Sequence, residues 1–258
     1  QGFIDSLDFK EGGISLKLTY DAKHIDIAKL TLNKPLAPGE KVVISTPFRV
    51  KLPSGEVSRM GHIDQTYQIT QWYPKPAVYD RDGWHEMPYL NQGEFYSEYG
   101  SFDVEITLPK NYVVGATGDF DPTWADNQTE EVFLDSIALA TARRIDATEF
   151  DDLELNPDSV NSFPMSATET KTLRYRQDNV HDFAWAADPD YKHTTAQVEN
   201  GPLLHFFYQN DPTYGKAWEE GQELVVKGFK YLSDHFGQYP YAQYTIIQGG
   251  DGGMEYPM

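Results

Sequence analysis

The chain has 258 residues, 40% of them hydrophobic and 14% aromatic, enough apolar material for one large or two ordinary domains and too much for wholesale disorder. Its 40 acidic residues outnumber 21 basic ones and leave a formal net charge of −19, which makes nucleic acid and anionic membrane poor partners. There is no cysteine, so disulfides, zinc–thiolate sites and cysteine nucleophiles are excluded, and no apolar run approaches the ~18 residues that span a bilayer.

The first half reads as β. Ile14, Leu16, Leu18 and Tyr20 alternate with Ser15, Lys17 and Thr19, the period-two pattern of a strand with one buried face. Phe102, Val104, Ile106 and Leu108 alternate in the same way with Asp103, Glu105 and Thr107. Val42-Val43-Ile44 and Gln65 to Trp72 lean towards strand, and Pro38-Gly39, Pro53-Ser54-Gly55, Asp80-Arg81-Asp82-Gly83 and Pro109-Lys110-Asn111 punctuate the strands with turns. Val132-Phe133-Leu134, Leu173 to Tyr175 and Phe183 to Trp185 are expected as further short strands, and Glu149 to Ser166 as an acidic surface loop. Many short strands at this spacing predict an antiparallel sandwich or curved sheet.

The character changes after Ala187. Leu203 to Tyr208 is a continuous apolar run, which suits a strand buried on both faces. Asp211-Pro212 offers a helix cap followed by a first-turn proline. Ala217, Gly221, Leu224, Val225, Gly228 and Leu232 predict the buried stripe of the helix, with Gly237 as its terminator. Tyr244 to Gln248 is a strand that runs into Gly250-Asp251-Gly252-Gly253-Met254-Glu255-Tyr256-Pro257-Met258. On composition alone that ending is a glycine turn with a lone carboxylate.

Metal and nucleophile patterns are weak. His85-Glu86-Met87-Pro88-Tyr89 begins like the His-Glu-x-x-His zinc helix but lacks its second histidine, and Pro88 disfavours a helix. No phosphate loop, G-x-S-x-G elbow or Ser/His/Asp set stands out. Thr70 to Asp80 is dense in aromatic residues. It reads as core packing around a proline bend, or as the amide of Gln71 offered to a cleft beside rigid rings.

Four segments in order resemble one family. Gly252-Gly253-Met254-Glu255 resembles the Gly-Ala/Gly-Met-Glu-Asn segment of the M1 zinc aminopeptidases, and it follows Phe236-Gly237-Gln238-Tyr239-Pro240-Tyr241 as it does there. Thr70 to Asp80, Gly93-Glu94-Phe95-Tyr96 with Phe102-Asp103-Val104, and Val180-His181-Asp182-Phe183-Ala184-Trp185 are similar to the bacterial branch of that family.

The resemblance implies a mainly β fold: an N-terminal β domain over 1–187 lacking its first strands, then over 188–258 the opening strand–helix–strand of a thermolysin-like catalytic domain. It implies that the chain is a fragment, and Gln1 in place of an initiating Met agrees with that. It implies a peptide substrate gripped by its free N-terminal amine, with Glu255 binding the ammonium, Gly252, Gly253 and Met254 lying along the peptide, and Gln71 near the same subsite. Zinc is expected in the full-length parent and none in this fragment, whose ligands and catalytic tyrosine would lie beyond Met258, so no catalytic residue is expected in this chain and its other partner is the remainder of its own catalytic domain. Two positions depart from the family pattern: Tyr256 stands where Asn is usual, and Tyr73 where Gln or Glu is usual. A non-catalytic scaffold of the same architecture, or a protein-interaction or sugar-binding β module, stays open beside the enzyme. Composition and resemblance lean towards a periplasmic or envelope location.

Overall fold

The computed structural model describes residues 2–54, 60–90, 95–134, 164–209 and 215–249. In chain order the strands are β1 (Phe3–Asp5), β2 (Lys10–Glu11), β3 (Ile14–Ser15), β4 (Lys17–Tyr20), β5 (Ala28–Thr31), β6 (Ile44–Ser45), β7 (Arg49–Lys51), β8 (Gly61–Ile63), β9 (Thr66–Ile69), β10 (Val78–Asp80) and β11 (Gly83–His85). They continue as β12 (Gly100–Pro109), β13 (Val113–Ala116), β14 (Asp119–Phe120), β15 (Thr170–Val180), β16 (Trp185–Asp188), β17 (Tyr191–Gln197), β18 (Leu203–Gln209) and β19 (Gln243–Ile247). Helix α1 is described over 125–134 and α2 over Gly215–Phe236. The fold is mainly β, and every strand pair but one is antiparallel among those with a described register.

The backbone forms two compact units, one of Gln1–Pro53 with Gln71–Gly100 and one of Ser54–Thr70 with Ser101–Met258. The first is built of small sheets: β1–β7, β3–β2–β6, β4–β5 and the hairpin β10–β11. The hairpin turns where Gly83 sits at φ +107, a region open to glycine. Asp80 closes it by accepting the Asp82 N–H at 2.8 Å and facing the His85 Nε2 at 2.8 Å. His85 is thereby committed to a turn carboxylate.

The second unit holds the cores. A four-stranded sheet β13–β16–β9–β8 and a three-stranded sheet β12–β15–β14 lead to β17–β18–β19. Here β17 and β18 form an antiparallel hairpin, while β18 and β19 run parallel and are joined through α2. Parallel neighbours need such a crossover. Strand β18 is buried on both faces, as its apolar run predicts. Leu204, Phe206 and Tyr208 pack with Trp218, Val225, Val226 and Phe229 of α2. Phe207 packs on the opposite side with Val113, Leu134, Ala186 and Tyr191.

The alternation in β12 holds, with Ile106 and Leu108 buried and Asp103, Glu105 and Thr107 exposed. Four expectations are corrected. Ile14 to Tyr20 is two strands rather than one, and Ile14 and Tyr20 are 65% and 58% exposed. Residues 132–134 are helical, not a strand: Asp121 accepts the Thr123 N–H and hydroxyl at 3.0 and 2.6 Å, and Asn127 bridges the Asp121 and Arg174 carbonyls. Asp121-Pro122 is the same cap-and-proline signal that was read only at Asp211-Pro212, which lies outside the described residues. Phe183 and Ala184 precede their strand, which starts at Trp185.

The stripe of α2 is also shifted. Leu224 and Leu232 are 69% and 53% exposed, while Trp218, Val225, Val226 and Phe229 meet the sheet. The helix carries two apolar stripes, and the sheet takes the one with the two large rings because they remove the most apolar area from water. Gly237 terminates α2 as expected, at φ +116, with its N–H on the Ser233 carbonyl at 3.3 Å.

Candidate functional site

The strand that leads to the glycine segment is tied down along its length. At its start the Gln243 amide donates to the Gly118 carbonyl, and the Tyr241 hydroxyl to the Asn179 carbonyl. At its middle the Thr245 hydroxyl donates to the Ala116 carbonyl at 3.2 Å. Near its end Ile247 lies over β13, where only glycine fits: a Cβ on Gly115 would stand 2.8 Å from the Phe207 ring and 2.9 Å from Ile247.

Just beyond β19 a polar cluster fixes Gln248. Its N–H donates to the Phe207 carbonyl at 2.8 Å, and its side-chain oxygen accepts the Gln209 N–H at 2.9 Å. Its carbonyl accepts from the Gln68 amide and the Tyr191 hydroxyl, each at 3.4 Å. Behind it Asp188 is fully buried and accepts three donors: the Thr66 hydroxyl at 2.5 Å, the Gln209 amide at 3.3 Å and the Asp190 N–H at 2.6 Å. Gln209 also donates to Thr66 at 2.8 Å. A buried carboxylate with this many donors needs no counter-cation. Burial, with the charge of Asp188 adding to it, pushes the Tyr191 phenol far up, so it stays a neutral donor. The cluster offers fixed dipoles. Its chemistry is positioning: it sets where the chain leaves the sheet.

This cluster was invisible in the sequence, since Gln68 and Gln248 are 180 positions apart and Thr, Gln and Asp at single positions carry no pattern. Replacing Asp188 with alanine removes the acceptor of the buried Thr66 hydroxyl and is expected to lower stability by about 1–3 kcal/mol. Urea unfolding of the variant measures this, and a loss within the scatter of surface substitutions would show the hydroxyl to be solvated.

Of the residues expected at the site, Gly252, Gly253, Met254 and Glu255 lie outside the described residues. Gln71 is described: it belongs to the first unit, is half-buried and sits at φ +49. That left-handed conformation is uncommon for a residue with a Cβ and ends the strand that precedes it. The following rings pack on their own unit, Trp72 against Phe48 at 6.0 Å and against Tyr73 at 5.2 Å.

Zinc does not fit the described residues. Among them no group of three or more His, Asp or Glu side chains converges on a point where a metal could sit. His85 is held by Asp80, and His193 and His205 face each other at 3.0 Å. No helix among the described residues is long and apolar enough to cross a membrane.

No family model and no curated protein matches the chain by sequence. Solved structures do match by fold. A mutant two-domain M1 zinc metallopeptidase bound to L-arginine superposes with a TM-score of 0.53 at 15% identity. The M1 zinc metallopeptidase of Deinococcus radiodurans superposes with a TM-score of 0.51 at 16% identity. Both matches cover 95% of this chain and 46% of the other, so the chain spans about half the length of the proteins it resembles. Another structure from Deinococcus radiodurans is a mutant bound to a Tyr-Ser-Ala substrate, with a TM-score of 0.50. The fold is that of the M1 zinc metallopeptidases.

Proposed function

We propose that this chain is the N-terminal part of a zinc-dependent aminopeptidase of the M1 type and supplies the edge of the cleft that grips the substrate's free amine. The observation that carries the reading is the coincidence of fold and motif. A chain with the M1 fold carries Gly252-Gly253-Met254-Glu255 shortly after β19, the strand anchored through Gln248. Glu255 binds the α-ammonium by a charge-assisted hydrogen bond, and because only the chain terminus carries that charge the enzyme trims from the end. The glycines let the backbone lie close to the peptide. A neighbour of this fold holds Tyr-Ser-Ala as substrate, which supports peptides as the class.

In this reading residues 1–187 correspond to the N-terminal β domain and 188–258 to the start of the catalytic domain, with a periplasmic or envelope location. Zinc belongs to the complete enzyme.

The test uses the complete protein with pairs of aminoacyl anilides, one member free and the other N-acetylated. Hydrolysis of the free-amine member alone is the expected result. Equal hydrolysis of both sinks amine recognition, and hydrolysis of neither favours the non-catalytic scaffold to which Tyr256 points.

A further inference from the structure

One pair of titratable groups plays no part in that reading. His193 on β17 and His205 on β18 meet edge to edge and nearly coplanar, with ring centroids 5.3 Å apart and planes at 11°, and His193 Nε2 is 3.0 Å from His205 Nδ1. His193 is 6% exposed, and its Nδ1 is buried with no hydrogen-bond partner among the described residues. Its ring also stacks on Phe207, with centroids 4.6 Å apart. The Phe207 ring in turn lies where a Cβ on Gly115 of β13 would be. The three rings form a row that ends on the backbone of Gly115 in the neighbouring sheet.

We propose that the His193–His205 pair is an acid-sensitive latch between the β17–β18–β19 sheet and β13. With both rings neutral, one nitrogen donates and the other accepts across 3.0 Å. A first proton puts a charge into the seam, and a second makes both facing nitrogens donors and leaves two cations edge to edge. Neither state has a carboxylate to relieve it among the groups that act on the pair. Burial comes first and His205 second in depressing His193, to about 4, and burial depresses His205.

The surrounding elements agree. From β13 the seam receives Val113 to Ala116, none of them titratable. Strand β19 brings Thr245 and Ile247 beside His205 and Phe207 in register. Helix α1 brings Leu134 into the same core, with Glu130 a turn earlier held by Lys171. On β17 stands neutral Tyr191, and Asp188 at the end of β16 accepts the Thr66 hydroxyl at 2.5 Å. Lys192, which precedes His193 on β17, is 4.0 Å from Glu219 of α2.

The sign follows from linkage. A base whose folded pKa is depressed binds protons less well when folded, so the seam's stability is intact above the unfolded value near ~6.5 and is lost as pH falls towards about 4. Amide hydrogen exchange on this chain between pH 7 and 4.5, corrected for intrinsic rates, reads it directly. Protection in β17, β18 and β19 is expected to fall by about 10-fold per pH unit for each of the two histidines that the opened seam protonates below ~6.5, ahead of β12 and β15. Parallel loss in all strands, or protection flat with pH, overturns the latch. The variant His205→Phe is expected to flatten the dependence. Should it fold poorly, ring titration of the unaltered chain by NMR decides: His193 taking up its proton near the ordinary histidine value of ~6.5, with no loss of protection, overturns the proposal.

Discussion

Lys171→Met is expected to cost about 3–5 kcal/mol of unfolding free energy. Lys171 on β15 and Glu130 on α1 form an ion pair of 2.5 Å with side chains 7% and 3% exposed. One Glu130 oxygen has no hydrogen-bond partner among the described residues, so Lys171 is the main compensation for the carboxylate. The Phe133 ring lies 5.3 Å from the ammonium. Burial pushes the Glu130 carboxyl up and the Lys171 ammonium down, in spite of their attraction. Removing the lysine leaves a buried charge without a partner, the costly way to break such a pair. The double variant Glu130→Met/Lys171→Met removes both desolvation costs and is expected to lie within ~1 kcal/mol of the unaltered chain or above it.

The pH dependence separates this account from simple loss of packing. With the lysine gone, the folded pKa of Glu130 rises further above its unfolded value. A raised carboxyl pKa means the folded state holds the proton more tightly, so the penalty is present above the folded pKa and fades as pH falls through it. Lys171→Met should therefore gain stability, relative to the unaltered chain, from pH 7 to pH 5. Urea unfolding at both pH values measures it. A single-variant loss below ~1 kcal/mol, or a loss indifferent to pH, would mean that water reaches Glu130.

In the complete protein, Glu255→Ala is expected to lower kcat/KM for free-amine peptides by roughly 10- to 150-fold. A hydrogen bond to a charged group contributes ~1.5–3 kcal/mol, and each ~1.4 kcal/mol is a factor of ten in rate. N-acetylated substrates carry no ammonium and should lose nothing further. Glu255→Gln keeps an acceptor and loses the charge, so it should fall between. Because Tyr256 and Tyr73 replace polar residues of the family pattern, fewer groups are left to share the amine, which places the expected loss towards the upper end. An unchanged kcat/KM for Glu255→Ala would remove the assigned role altogether.

Some of this architecture could be read one residue at a time. The apolar run from Leu203 to Tyr208 became the strand buried on both faces, and the alternation from Phe102 to Leu108 became β12 with its buried end. Gly237 ends α2 because a residue without a Cβ tolerates its φ of +116. Other elements were misread although the signal was present. Asp121-Pro122 marks the approach to α1 as well as any pair in the chain, but Val132-Phe133-Leu134 suggested a strand because a short apolar run has no period of its own.

What the sequence by itself determined is local: that Leu203–Tyr208 and Phe102–Leu108 are strands, where a glycine ends α2, and a glycine–glutamate segment whose type and order resemble the M1 peptidases. Those signals repeat within a few residues or rest on one backbone conformation. What only the tertiary structure decided is pairing. The sheet chose between the two apolar stripes of α2. Glu130 met Lys171 across the α1–β15 packing. Thr66, Asp188, Gln209 and Gln248 closed into the cluster that holds the end of β19. Each partner is an ordinary residue at its own position. It acquires a role only when burial removes water and makes the one available partner decisive.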